Sequence, residues 1–341
     1  MIAPKRAPAA ITATIGLLLA SACAGGVRTQ DLPESPLAFL HRTTDEAKRR
    51  AEILNEASGK GSSMPTGFLH LNELQRSLGK DVNAEFADLS GHLSLLNARA
   101  GEIKLLAQAP KGSEPIAYTA GRQQLVFRER RENTMQLMLL DLGRNQLQPL
   151  TPPNVFATSA SLATDGRLVY SAIRVTDAGP TVRLFLQSPG GGPPRVLTAG
   201  PVDESPVFSP DGSQLVFVGH VKDGAEEILS LDPREEDPAA HPLARGRDPV
   251  FAPDGTWIVY SAQTGREHHL WKMRPDGSGK LRLGVGSTET KDEFHPAVSP
   301  DGGFVAYVSE LEGRSYLRVR RMDGTGDRVL LDEGDGAWPV W

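Results

Sequence analysis

The sequence contains one cysteine in 341 residues, Cys23, so no disulfide can form within the chain. Strong charge of either sign is also missing. The formal net charge is −5, and Lys and Arg do not gather into the basic face that nucleic-acid binding needs, so no nucleic-acid partner is expected. There is no long apolar run: the longest, Ala9 to Ala22, falls short of the roughly 20 residues a spanning helix requires. Several enzyme signatures are absent as well: a Gly-x-Ser-x-Gly elbow, a His-Glu-x-x-His helix and a glycine-rich phosphate loop. What the chain has in quantity is glycine (35) and proline (26), the composition of many short strands joined by tight turns.

Lys5 and Arg6 precede the apolar run, and small residues follow it, Ala20-Ser21-Ala22-Cys23-Ala24-Gly25-Gly26. A basic stretch, a short apolar stretch and small residues at a cut describe a secretory signal over residues 1–22. Cys23 directly after Ala-Ser-Ala resembles the lipobox of bacterial lipoproteins, with Ala20 where leucine is most usual. The resemblance implies that Cys23 is lipidated and holds the chain on a membrane. With Ala24 rather than Asp next, the outer membrane, facing the periplasm, is expected.

Residues 23–42 then read as a tether, and 43–83 as a short helical segment. Thr43-Thr44-Asp45-Glu46 has the form of a capping box, with a helix predicted to about Ala57 and a second over Leu69 to Leu78.

From about residue 84 the pattern becomes β. Glu204 to Phe217, ESPVFSPDGSQLVF, sets a Ser-Pro-Asp-Gly turn between two apolar runs. Proline presets φ and glycine accepts positive φ, so the stretch predicts a hairpin. The unit recurs at Asp248 to Tyr260 and His295 to Tyr307, and in weaker form at Ser159 to Tyr170 and Glu114 to Phe127. The turn residues Asp165, Asp211, Asp254 and Asp301 are 46, 43 and 47 residues apart. A period of this size, with four short strands each, predicts the blades of an all-β propeller. In the third blade the strands are expected at Pro206–Phe208, Leu215–Gly219, Glu227–Leu231 and near His241–Ala244.

The ends complement one another. Ala337-Trp338-Pro339-Val340-Trp341 reads as a first strand with nothing after it. Phe86–Leu89, Leu93–Asn97 and Ile103–Ala107 read as second, third and fourth strands with no first. Joined, they make a sixth blade that closes the ring, removes its edges and buries Trp341. A five-bladed ring with a free tail is the alternative.

The Ser-Pro-Asp-Gly repeats at Ser209–Gly212 and Ser299–Gly302, with Ala252–Gly255 close to them, resemble TolB-type propeller repeats. They are similar to repeats of the periplasmic TolB protein and of prolyl oligopeptidase-like peptidases. TolB carries a larger α/β domain ahead of its propeller, so its partners, the peptidoglycan-associated lipoprotein and TolA, do not transfer on the repeats alone. No hydrolase domain follows the propeller in this sequence, which leaves a peptidase reading without a nucleophile.

The repeated Asp residues are read as turn formers rather than calcium ligands. His268 and His269 should point to opposite faces of a strand, and His295 should stand at the mouth of the central funnel. No cofactor, no metal and no catalysis are expected. The residues leading into each first strand, namely Asp203, Glu204, Asp248, Asp292, Glu293, Phe294, His295 and Trp338, are predicted to ring that mouth and bind a partner. The expected protein is thus a monomeric, lipid-anchored scaffold for another envelope protein. A carbohydrate-binding or oligogalacturonate-lyase-like propeller is the alternative, and it would need His295 and two more ligand-type side chains to meet at one point.

Overall fold

The Ser-Pro-Asp-Gly turn folds as its chemistry dictates. The Ser209 hydroxyl donates to Asp211 Oδ1 at 2.6 Å and accepts from the Gln214 N–H at 2.9 Å, while Gly212 takes φ +68°. Ser299 and Asp301 repeat the arrangement, with the Phe304 N–H donating to the Ser299 hydroxyl. Where Ala252 replaces the serine, Thr256 supplies a hydroxyl to Asp254 instead. Asp211 is held down to about 2, chiefly by the Ser209 hydroxyl. These carboxylates serve the turns, as read from the sequence.

The structure, a computed structural model, describes residues 26–58, 91–131, 134–177, 179–221, 225–284, 292–311, 314–331 and 333–341. The order is β1 (Leu37–Arg42), α1 (Thr44–Ser58), β2 (His92–Asn97) and β3 (Glu102–Leu105), then five blades in sequence. Blade one is β4 (Glu114–Tyr118), β5 (Gln124–Arg131), β6 (Thr134–Asp141) and β7 (Gln146–Pro149). Blade two is β8 (Ala157–Leu162), β9 (Leu168–Thr176), β10 (Gly179–Gln187) and β11 (Arg195–Val196). Blade three is β12 (Asp203–Phe208), β13 (Leu215–His220), β14 (Glu226–Leu231) and β15 (His241–Arg245). Blade four is β16 (Arg247–Phe251), β17 (Ile258–Thr264), β18 (Glu267–Met273) and β19 (Leu281–Arg282). Blade five is β20 (Asp292–Val298), β21 (Phe304–Leu311), β22 (Arg314–Arg321) and β23 (Asp327–Val329), followed by β24 (Asp335–Val340).

Each blade is a four-stranded antiparallel sheet, and there are six. The first strands of neighbouring blades touch one another around the ring, so they form its inner wall. Alternation along each strand sends apolar side chains to both neighbours. In β13, Leu215 and Phe217 pack against blade two, whereas Val216 packs against blade four. Six such apolar seams, one between each pair of blades, make up the core.

The sixth blade has the order β24-β1-β2-β3, and β24 pairs antiparallel with β1. The ring is therefore closed by both chain ends. Trp341 is 8% exposed, and its indole N–H donates to the Ser35 carbonyl at 3.1 Å. One assignment needs correction. The second strand of this blade is Leu37–Arg42, within the segment expected to be a tether, and not Phe86–Leu89, which lies outside the described residues. The propeller thus begins at Leu37, and α1 interrupts its closing blade between second and third strands. The predicted second helix also lies outside the described residues.

The capping box starts α1: the Thr43 N–H donates to Glu46 at 2.9 Å, and the Glu46 N–H donates back to the Thr43 hydroxyl. The helix leaves β1 at the end where the first strands begin, which puts it on the mouth side of the ring. Lys111, ahead of blade one, pairs with Glu46 at 2.6 Å. Burial beside Arg42 lowers Arg50 to about 10, with Asp335 and Glu310 opposing the shift.

Candidate functional site at the propeller mouth

Four residues at equivalent positions of four successive blades adopt positive φ without being glycine: Ser205 (+53°), Asp248 (+52°), His295 (+50°) and Trp338 (+53°). Each precedes a proline, and the pairing register of its strand shifts there. A bulge of this kind re-aims a side chain out of the sheet's alternation. Here it turns the side chains along the inner wall, so that residues of different blades meet.

Three of them form a run across blades four, five and six. His295 Nδ1 lies 3.3 Å from Asp248 Oδ2, and the His295 backbone N–H donates to the same oxygen at 3.2 Å. On its other side, the His295 ring centroid is 3.9 Å from that of Trp338. Burial works to raise the Asp248 pKa, but His295 and Arg247 outweigh it and hold the carboxyl well below the ordinary range. Asp248 is thus a carboxylate at every physiological pH.

The run continues back through blade four into blade three. The Arg247 guanidinium lies 3.6 Å from Asp248, 3.8 Å from Glu226, and above the Phe294 ring at 5.6 Å. His220 Nε2 stands 3.2 Å from Glu204 and 4.0 Å from Glu226. The hydrogen bond to Glu204, ahead of the opposing effect of burial, raises the His220 pKa. Farther round, the Ser205 N–H donates to the Ser159 hydroxyl at 2.9 Å, and Ser159 shares Ser171 with Thr158. Arg128 joins the Thr158 carbonyl and Glu114. Polar contacts therefore link blade one through to blade five along the mouth.

The predicted rim residues divide by register. Glu204, Asp248, Asp292, His295 and Trp338 lie at the mouth, Asp292 accepting from the His268 N–H at 2.8 Å. Asp203, Glu293 and Phe294, expected at the rim, are instead buried, at 3%, 3% and 2% exposure. Asp203 and Glu293 occupy the slot two residues before the bulge, which faces the seam between blades. In blade four that slot is Gly246, where a Cβ would meet the Ser261 carbonyl at 2.6 Å, and in blade six it is Gly336, hard against Phe39. Burial raises the Asp203 pKa while its carboxylate accepts from the Gly200 N–H. Glu293 pairs with buried Arg320 at 2.6 Å.

His268 and His269 point apart, as their adjacency predicts. His268 turns to Asp292 at 3.1 Å, and His269 lies between Glu293 and Glu267. Among the described residues, His295 does not gather two further ligand-type groups. The set that does meet among the described residues is Glu204, His220 and Glu226, whose ligand atoms lie within 4.8 Å of one another. These three come from β12, β13 and β14, and only the strand register brings them together, so no linear motif announces them. A divalent cation there would have to displace the ion pair between Arg247 and Glu226.

A ring of six antiparallel blades, closed by pairing of β24 with β1 and presenting a charged and aromatic mouth, defines a β-propeller. The family model described as the TolB beta propeller domain matches residues 82–294, and the chain belongs to that family. An uncharacterised protein of Agrobacterium fabrum is 29% identical over 183 residues, covering 50% of this chain and 60% of the relative. The Tol-Pal system protein TolB of Anaeromyxobacter dehalogenans is 30% identical over 135 residues, covering 38% of this chain and 28% of the relative. The chain thus spans less than two thirds of each. TolB from Acinetobacter baumannii superposes with a TM-score of 0.64 over 93% of this chain and 68% of its own, at 15% identity, a likeness of fold.

Proposed function

We propose that the chain is a lipid-anchored envelope propeller whose mouth binds another protein and carries out no chemistry. The observation behind this reading is the Asp248–His295–Trp338 run, in which three blades hold a carboxylate, an imidazole and an indole in fixed contact. Side chains held this firmly lose little conformational entropy on binding, and an aromatic group beside a charge suits a mixed polar and apolar protein surface. Three mouth histidines are each engaged by a carboxylate, His220 by Glu204, His268 by Asp292 and His295 by Asp248, which supports a binding role. The relatives named for the Tol-Pal system favour an envelope partner.

A photo-crosslinking residue at position 338, compared with one at Leu147 on an outer strand, tests this reading in cells. The expected result is a crosslink to one envelope protein from position 338 only, lost in the Asp248→Ala variant. Equal crosslinking from both positions overturns it. Cys23→Ser is expected to release the protein from the membrane fraction. A carbohydrate-binding mouth is the second reading, favoured by the Trp338 ring beside His295 and Asp248. Glycan binding that Trp338→Ala abolishes would establish it in place of a protein partner.

A further inference from the structure

The face opposite the mouth carries a groove of about 570 Å³, lined by Arg28, Thr29, Gln30, Arg99 and Arg328. We propose that it binds the phosphate of an anionic lipid headgroup, an assignment whose lipid source rests on the anchoring of Cys23 proposed above.

The three arginines come from separate parts of the fold. Arg28 lies in the incoming segment before β1, Arg99 in the turn between β2 and β3, and Arg328 in β23, the outer strand of blade five. Two are fixed in place. Arg99 Nε donates to the Leu32 carbonyl at 2.9 Å, and Arg328 Nη1 donates to the Thr29 hydroxyl at 2.5 Å. Arg28 is exposed, and its guanidinium enters no ion pair among the described residues.

The local charge is positive after its own carboxylates are counted. Glu34 pairs with Arg99 at 2.6 Å, and Asp31 pairs with neighbouring Arg321 at 3.3 Å. Among the described residues, four arginines thus face two carboxylates, with Arg28 and Arg328 beyond these two pairs. Guanidinium groups present paired N–H donors that match phosphate oxygens, which makes a convergence of arginines a phosphate site rather than a general cation patch.

Position supplies the source of that phosphate. Cys23 precedes Arg28 by five residues, a reach of at most about 18 Å for an extended chain. A lipid on Cys23 therefore keeps the groove at the level of the headgroups.

The test uses the full-length secreted chain carrying Cys23→Ser, so that no lipid contributes, with sedimentation on vesicles of phosphatidylglycerol in phosphatidylcholine. Binding is expected on these and not on phosphatidylcholine alone. Arg28→Gln should weaken it about fivefold, and Arg28→Gln with Arg328→Gln about twenty-fivefold. Arg234→Gln, elsewhere on the face opposite the mouth, should leave it unchanged. Arg28 is exposed, so the first variant folds as the parent does, and a thermal melt verifies this. Unchanged binding in the double variant overturns the site. Full displacement by millimolar inorganic phosphate overturns the lipid source in favour of a free anion. Membrane release of the Cys23→Ser protein is scored separately, so failure of the anchor and failure of the groove give different results.

Discussion

Arg42 and Asp335 are 293 residues apart in sequence and 3.1 Å apart in the fold. They lie opposite each other on β1 and β24, and both are buried, at 6% and 1% exposure. This pair marks the seam at which the ring closes, on the mouth side and under α1.

Breaking the pair from one side should be costly. Asp335→Ala leaves the Arg42 guanidinium buried without its carboxylate, and about 3–5 kcal/mol of stability is expected to be lost. Adding Arg42→Met should recover much of that loss, because the buried charge that Asp335 balanced goes with it. Urea denaturation of the parent, single and double variants measures both effects. A single variant as stable as the parent would sink the argument.

Trp341 anchors the same seam at its other end. Its ring belongs to the apolar cluster between blades five and six, with Leu37, Phe39 and Phe304. Trp341→Ala should cost about 3–5 kcal/mol, the usual range for emptying a large aromatic site in a core. Chemical denaturation followed by circular dichroism is the measurement. Deleting residues 335–341 removes β24 altogether and should abolish the cooperative transition.

How much of this could be read beforehand depends on where the information is stored. The blades were legible because Ser209, Asp211 and Gly212 satisfy their turn locally, and the same letters return at Ser299, Asp301 and Gly302. Closure was legible from the orphaned apolar strand at Trp338 and Trp341. Leu37–Arg42 was not, because its partners, His92–Asn97 and Asp335–Val340, are far away in sequence and α1 stands between. The burial of Asp203 and Glu293 was hidden for a related reason. A carboxylate reads as solvent-facing until the register places it in a seam beside Arg320 or the Gly200 N–H. Cross-strand neighbours such as Glu204 and His220 stay invisible until pairing is known.

The positive-φ bulges carry a backbone cost that can be relieved. Ser205 at φ +53° is strained relative to glycine, so Ser205→Gly should raise stability by about 1 kcal/mol. Ser205→Val should lower it, since a branched Cβ fits this region worst. Thermal melts of the two variants decide the point, and a Val variant as stable as the Gly variant would refute the strain.

His220 gives the mouth a pH dependence of defined sign. Glu204 raises its folded pKa above the ordinary 6.5. The stabilisation is therefore complete below about 6.5 and disappears as pH climbs through the raised folded value. NMR titration of the His220 ring should give a pKa above 6.5 that moves down in Glu204→Gln. The parent should also lose more stability than that variant between pH 6 and pH 9. Identical titration curves would contradict the assignment.

The clasp of β1 between β24 and β2 has a mechanical side. A tug on the segment before Leu37 runs lengthwise along β1, so the load falls on its rungs to both neighbours at once and does not peel them one by one. Val340, at the far end of β24, pairs with Ala38 near the point where that tug arrives, so the last strand of the chain braces the first. A molecule held by its leading end in a moving envelope would thus be gripped where it resists shear best.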